Sequence, residues 1–179
     1  ASGSMKEKWK GRAKFESARE LLFKMVDSIE KKNNLQVEFA VRAFGSQAPK
    51  EQGNCKDSKL LVPFAKNNSL KIKEALAKTI PQGMSPIAYS LSQTPTDFST
   101  SDNAVNAIVI VTDGIENCDG NLCDAVKQLV EKRIAVRPFV IGLDVGAKFA
   151  EQLKCAGNFS DVKDEEALFS TLGVIIKQT

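Results

Sequence analysis

Histidine is absent from the sequence, and that absence removes more chemistry than any motif adds. Ser-His-Asp and Cys-His nucleophile sites require the imidazole ring, as do zinc sites built on it, so those classes are excluded. There is also no Gly-x-Ser-x-Gly elbow and no phosphate-cradling Gly-x4-Gly-Lys loop, which leaves hydrolase or phosphotransferase chemistry as a weak alternative. No apolar run approaches the length of a bilayer span, so no direct membrane insertion is expected. Neither sign of charge dominates: 25 basic and 22 acidic residues give a formal +3, too balanced to point to nucleic acid or an anionic surface. No Cys-x2-Cys pair occurs among Cys55, Cys118, Cys123 and Cys155, and the closest spacing is Cys118-x4-Cys123. Four thiolates around zinc remain one alternative for them; the even count otherwise points to an oxidising, extracytoplasmic compartment. Linkers, repeats and low-complexity tracts are missing too, so 179 residues, 42% of them hydrophobic, read as a single domain with its own core.

What is present alternates between two periods. Phe15, Ala18, Leu22, Met25 and Ile29 recur at three- and four-residue steps and predict a helix from Lys14 to Lys31. "LQVEFAVRAFG" then switches to period two and predicts a strand, and "KLLVPF" a second one, whose Pro63 belongs at a sheet edge. A helix capped by Asn68 or Ser69 ends before Pro81, and another begins at Ser85 with Pro86 at its first position. "NAIVIVTDG" is a near-continuous apolar run, expected as a central parallel strand buried on both faces. A helix capped near Asp124, a strand in "IAVRPFVIGL", a helix in "AKFAEQLKCAG", a strand at Phe159–Val162 and a closing helix from Asp164 to Ile176 complete an alternating α/β order.

Three loops share a chemical character. Ser2-Gly3-Ser4 precedes the first helix, Gly83-Met84-Ser85-Pro86 the third, and Thr112-Asp113-Gly114 follows the apolar strand. In an open α/β sheet such loops converge at the carboxyl edge, where ligands bind. Hydroxyl and carboxylate oxygens without nitrogen or sulfur partners suit a hard divalent cation: Mg²⁺, Mn²⁺ or Ca²⁺.

With these loops in this order, and with "LLVPF", "SPIAYSL" and "VTDGIENC", the sequence resembles a von Willebrand factor type A domain with a metal-ion-dependent adhesion site, most like bacterial secreted or surface members. The resemblance implies a doubly wound, mostly parallel sheet with helices on both faces. It implies that Ser2, Ser4 and Ser85 ligate the cation, Ser85 where the family has Thr, and that Asp113 acts through water. The function implied is non-catalytic, cation-dependent binding of a protein whose acidic residue completes the metal shell. A metal-independent scaffold is the alternative. The family's pattern also has an Asp directly before Ala1, at the end of an apolar strand lying between those at Leu35–Phe44 and Ala107–Thr112. Residues 1–179 are therefore expected to be one domain cut short at its N-terminus.

Each of these residues also has a plainer reading. Ser2-Gly3-Ser4-Met5 matches a cloning junction, and Asp113-Gly114 a simple turn. Thr112 and Glu116 are candidates for the rim or for supporting the ligands, whereas Asp119 and Asp124 read better as a loop charge and a helix cap. Trp9 is either an exposed contact for a partner or a ring folded against the first helix. Lys6, Lys8, Lys10, Arg12 and Lys14, interrupted by Glu7 and Glu16, read as the solvated approach to that helix. Cys118 and Cys123 are expected to form a local disulfide pinning the Asp113 loop. The resemblance puts Cys55 and Cys155 far apart, leaving them as buried free thiols.

Overall fold

The lysine-rich segment before the first helix is a hairpin. Strands β1 (Lys8–Trp9) and β2 (Arg12–Ala13) pair antiparallel across Lys10 and Gly11. Both turn residues have positive φ, 51° and 90°, the two-residue geometry whose twist matches paired strands and in which Gly11 is unstrained. The computed structural model describes residues 1–31, 37–98, 104–132, 134, 138–146, 150, 153–164, 166–167 and 170–171.

Helix α1 (Lys14–Glu30) follows the expected stripe, burying Ala18, Leu21, Val26 and Ile29. Strands β3 (Phe39–Phe44) and β4 (Ser58–Ala65) form the expected antiparallel pair. Its register shifts between Phe39 and Val41, opposite Pro63, which has no N–H to lose from the ladder. Residues 35 and 36 of the predicted first strand lie outside the described residues. Helix α2 (Ser69–Lys78) lays Ile72 and Leu76 against α1 and β4, joining Val26 and Val62 in one cluster. Helix α3 (Ile87–Gln93) starts after Pro86.

Strands β5 (Val109–Thr112), β6 (Phe139–Leu143) and β7 (Asn158–Val162) form a parallel sheet in that order. Every residue of β6 is buried, because its alternate sides feed different cores. Phe139, Ile141 and Leu143 meet Ala18 and Leu21 of α1 on one face. Val140 meets Ile87 and Leu91 of α3 on the other, together with Val126 and Leu129 of α4 (Leu122–Glu131). The result is an α/β sheet with helices on both faces, as expected. Within this sheet β6 is the middle strand and β5 an end strand, not the central one expected; β3 and β5, expected on either side of a further strand, are not paired with each other among the described residues. Between β3 and β5 lies an apolar cavity of about 250 Å³, lined by Leu22, Met25, Phe39, Val41, Ile87 and Ile110 among others.

Two further expectations fall partly outside the described residues: the "AKFAEQLKCAG" helix at 147–149 and 151–152, and the closing helix at 165, 168–169 and 172–176.

Candidate metal centre

The Ser2–Ser4 segment is held as backbone before its side chains do anything. Gly3 N–H donates to Gly83 O at 3.0 Å, and Gln82 N–H to Ala1 O at 3.1 Å. Gly83 N–H in turn donates to Gly45 O at 2.8 Å, stacking the first loop, the 82–85 loop and the end of β3. That stack requires glycine: at Gly45, φ is +66° and a Cβ would sit 2.2 Å from Met84 O. A 3-10 turn over Gly3–Lys6 then presents Ser4 toward the end of β5.

There, three of the predicted residues come together. Ser4 Oγ donates to Asp113 Oδ1 at 2.9 Å, Ser2 Oγ lies 3.3 Å from the same oxygen, and the two hydroxyls are 3.0 Å apart. Thr112 is not among them. Its hydroxyl bonds the Gly114 carbonyl at 2.9 Å and shapes the turn that presents Asp113. Asp113 Oδ2 is buried with no hydrogen-bond partner. A buried carboxylate oxygen left without a donor, beside two hydroxyls, fits a hard cation. Among the described residues no group of three His, Cys, Asp or Glu could hold a metal, so the donor set is one carboxylate with hydroxyls.

Ser85 is buried next to this cluster, but no hydrogen bond joins its hydroxyl to the other three. Its backbone is clamped by Asn117, whose Oδ1 accepts from Ser85 N–H at 2.7 Å and whose N–H lies 3.4 Å from Ser85 O. Glu116 is a cap from outside its helix: Oε2 accepts from Ala88 N–H at 2.6 Å, in the first turn of α3, and Oε1 from Cys118 N–H at 2.9 Å. Partial burial pushes the Glu116 carboxyl up, against the lowering effect of those backbone donors. Asp124 does not cap α4; Asn121 does, its Oδ1 accepting from Asp124 N–H at 3.1 Å.

Of the two readings of Trp9, the partner contact is corrected and the ring folded against the first helix holds. It is 5% exposed and sits among Met5, Ala18, Leu21 and Ile141, because the hairpin turns it inward while Lys8 and Lys10 face water. The cysteine expectations are corrected as well. Cys118 bonds Cys55, tying the Asp113 loop to the β3–β4 loop, and Cys123 bonds Cys155. No cysteine is free, so neither buried thiols nor four zinc thiolates describe them.

Three residues near the site carry no signal in the sequence. Lys14, expected in solvent, is buried, with Nζ 3.6 Å from Asp113 Oδ2 and 3.5 Å from Glu7 Oε2. Asp57, 2% exposed, accepts from the backbone N–H groups of Gln47 and Ala48 at 2.8 and 3.1 Å and fixes the loop beneath Gly83. Asn117 was a loop residue like its neighbours; only its position opposite Ser85 gives it a task.

Comparison with known proteins follows the same outline. Residues 1–172 match the von Willebrand factor type A domain. The uncharacterized protein YwmC of Bacillus subtilis (strain 168) is 30% identical over 158 residues, spanning 86% of this chain and 67% of YwmC. Among solved structures, an aerotolerance-related membrane protein from Bacteroides fragilis has a TM-score of 0.71 at 16% identity, over 99% of this chain and 95% of that one. Proximal thread matrix protein 1 from the mussel byssus, solved with a zinc-occupied MIDAS motif, has a TM-score of 0.68 at 17% identity, over 90% of this chain and 42% of its own. Identities this low carry the fold alone. The family match, however, runs through nearly the whole chain rather than through one motif, and the chain belongs to the von Willebrand factor type A domain family.

Proposed function

We propose that this domain binds a partner protein reversibly through a divalent cation, Mg²⁺, Mn²⁺ or Ca²⁺, held at the carboxyl edge of the sheet. One observation carries the reading: Ser2 Oγ and Ser4 Oγ converge on Asp113 Oδ1, while Asp113 Oδ2 is buried without a donor. A bound cation would supply a coordination position that a partner's Asp or Glu carboxylate can complete, since one carboxylate and neutral hydroxyls leave most of its charge uncompensated. Ser2 and Ser4 would ligate it, with Ser85 as the hydroxyl of the second loop and Asp113 acting directly or through water. Thr112, Asn117 and Glu116 hold those loops in place. The role is non-catalytic.

The two disulfides support an extracytoplasmic setting, periplasmic, cell-surface or secreted. Among the described residues no helix is long and apolar enough to cross a membrane.

The test is thermal melting and calorimetry of the full chain with Mg²⁺ and Mn²⁺, against Asp113→Asn. Expected is a metal-dependent rise, worth about 2.7 kcal/mol at a hundredfold excess over Kd, and its loss in Asp113→Asn. A second reading, a scaffold that works without metal, draws on Lys14, whose ammonium already lies 3.6 Å from Asp113 Oδ2. An unchanged melting temperature at millimolar metal, with no heat of binding, would favour the scaffold.

A further inference from the structure

Lys14 stands where a lysine is unfavourable on two counts. It is the first residue of α1, so its charge opposes the helix macrodipole, and Ala13 before it contributes no side-chain cap. Its side chain is only 11% exposed, although four methylenes would carry the ammonium to water. Its backbone N–H is already used, donating to Glu7 O at 3.0 Å, so the side chain's position is not a by-product of a missing turn.

Among the described residues two carboxylates offset these costs, and they are unlike each other. Asp113, with a fully buried side chain, lies 3.6 Å from Nζ: near enough for ionic attraction, too far for a hydrogen bond, which is why Oδ2 stays without a donor. Glu7, 68% exposed, lies 3.5 Å away on the solvent side. The ammonium is thus loosely held between an inner carboxylate that belongs to the candidate metal centre and an outer one at the surface.

We propose that Lys14 is a tethered counter-cation. It neutralises Asp113 when no divalent cation is bound, competes with the cation for that carboxylate, and moves out to Glu7 when the cation arrives. Lys14 thereby sets the cation affinity and keeps the metal-free domain folded. The inference rests on the cation reading of the Ser2–Ser4–Asp113 cluster. Its coupling is reciprocal: whatever Lys14 takes from cation affinity it gives to the stability of the metal-free state.

The experiment measures Mn²⁺ affinity by calorimetry and melting temperature in EDTA and in millimolar Mn²⁺. It compares the full chain with Lys14→Met, and with Lys8→Met, which removes an exposed charge from the hairpin that leads into α1. Expected is Mn²⁺ binding on the order of tenfold tighter in Lys14→Met, a lower melting temperature than wild type in EDTA, and a smaller or reversed difference in Mn²⁺. Lys8→Met should shift affinity less than twofold, roughly, as an exposed charge does. If Lys14→Met does not fold, Lys14→Gln, which retains a polar side chain of intermediate length, serves the same comparison. Equal or weaker Mn²⁺ binding by the Lys14 variant overturns the counter-cation role and leaves the cation site standing. Absence of binding by wild type and variant alike overturns both.

Discussion

Removing the Cys55–Cys118 disulfide separates its contribution to stability from its contribution to the site. The two cysteines are 63 residues apart, and on the chain-entropy relation closing a loop of that length is worth about 4 kcal/mol. For Cys123–Cys155, 32 residues apart, the figure is only about half a kcal/mol less. Both paired-serine variants should therefore melt roughly 8–16 °C below wild type, at about 2–4 °C per kcal/mol for a chain of this size. They should differ at the candidate metal centre. Cys118 lies one residue beyond Asn117 and two beyond Glu116, the groups that hold the Ser85 loop and the start of α3. Freed from Cys55, this segment must be re-ordered on binding, at about 1–2 kcal/mol per residue fixed. Cation affinity should fall by about tenfold or more in Cys55→Ser/Cys118→Ser and stay within about twofold in Cys123→Ser/Cys155→Ser, whose bond joins the first turn of α4 to the segment before β7. Melting curves followed by circular dichroism and Mn²⁺ calorimetry read the two effects independently. Equal loss of affinity in both variants would refute the assignment of Cys55–Cys118 to the site, and a melting temperature within about 2 °C of wild type would refute the entropy argument.

Two other outcomes follow from the structure. Arg42 forms a two-point ion pair with Asp97, at 2.7 and 2.6 Å with side chains 15% and 8% exposed, and also donates to Ser58 at 3.0 Å. Asp97→Ala leaves that guanidinium buried and uncompensated and should cost about 3–5 kcal/mol in urea unfolding, most of it recovered in Arg42→Met/Asp97→Leu; a cost near 1 kcal/mol or below would mean the pair behaves as an exposed one. Glu116 has its carboxyl raised by partial burial, so the charged form is less favoured in the folded chain than in the unfolded one. Its contribution is complete below the unfolded value and is lost as pH rises through the folded one. Glu116→Gln gives up one of two backbone acceptors at every pH, yet its deficit against wild type should narrow as pH rises from about 4 to about 7; a deficit that widens would mean the carboxyl is lowered instead.

How much of this was legible in the sequence depends on the range over which each interaction acts. Periodicity is local, and it located α1, the β3–β4 pair and the apolar strand that ends in Thr112-Asp113-Gly114. It could not say that β6, not β5, is the middle strand, because a run buried on both faces reads the same at either position. Trp9 stayed open between two readings because four lysines, an arginine and a glutamate surround it; a two-residue turn makes alternation decide, and alternation turns Trp9 inward. The disulfides failed for a related reason. Cys118 and Cys123 are close in sequence, but Asn121 starts a helix between them, so Cys123 enters the first turn of α4 while Cys118 stays in the loop facing Cys55. Distance along the chain is a poor guide to a bond whose Cα atoms must come within 5.4 Å of each other.

The polar residues of the site divide along the same line. Ser2, Ser4 and Asp113 could be proposed together because hydroxyls and a carboxylate placed where loops should converge are chemically conspicuous, even 109 and 111 residues apart. Lys14, Asp57 and Asn117 could not, since a lysine in a run of lysines, and an aspartate or asparagine in a loop, stand out in no way from their neighbours. What distinguishes them is that each answers a demand created elsewhere: Lys14 the charge of Asp113, Asp57 the two N–H groups of Gln47 and Ala48, Asn117 the N–H of Ser85. In each case a buried polar group needs a partner, and the partner is found only once the backbone has fixed which groups are buried. A cluster such as Ser2, Ser4 and Asp113 can therefore be proposed from a sequence, whereas the residues that pair with it and hold its loops appear only with the fold.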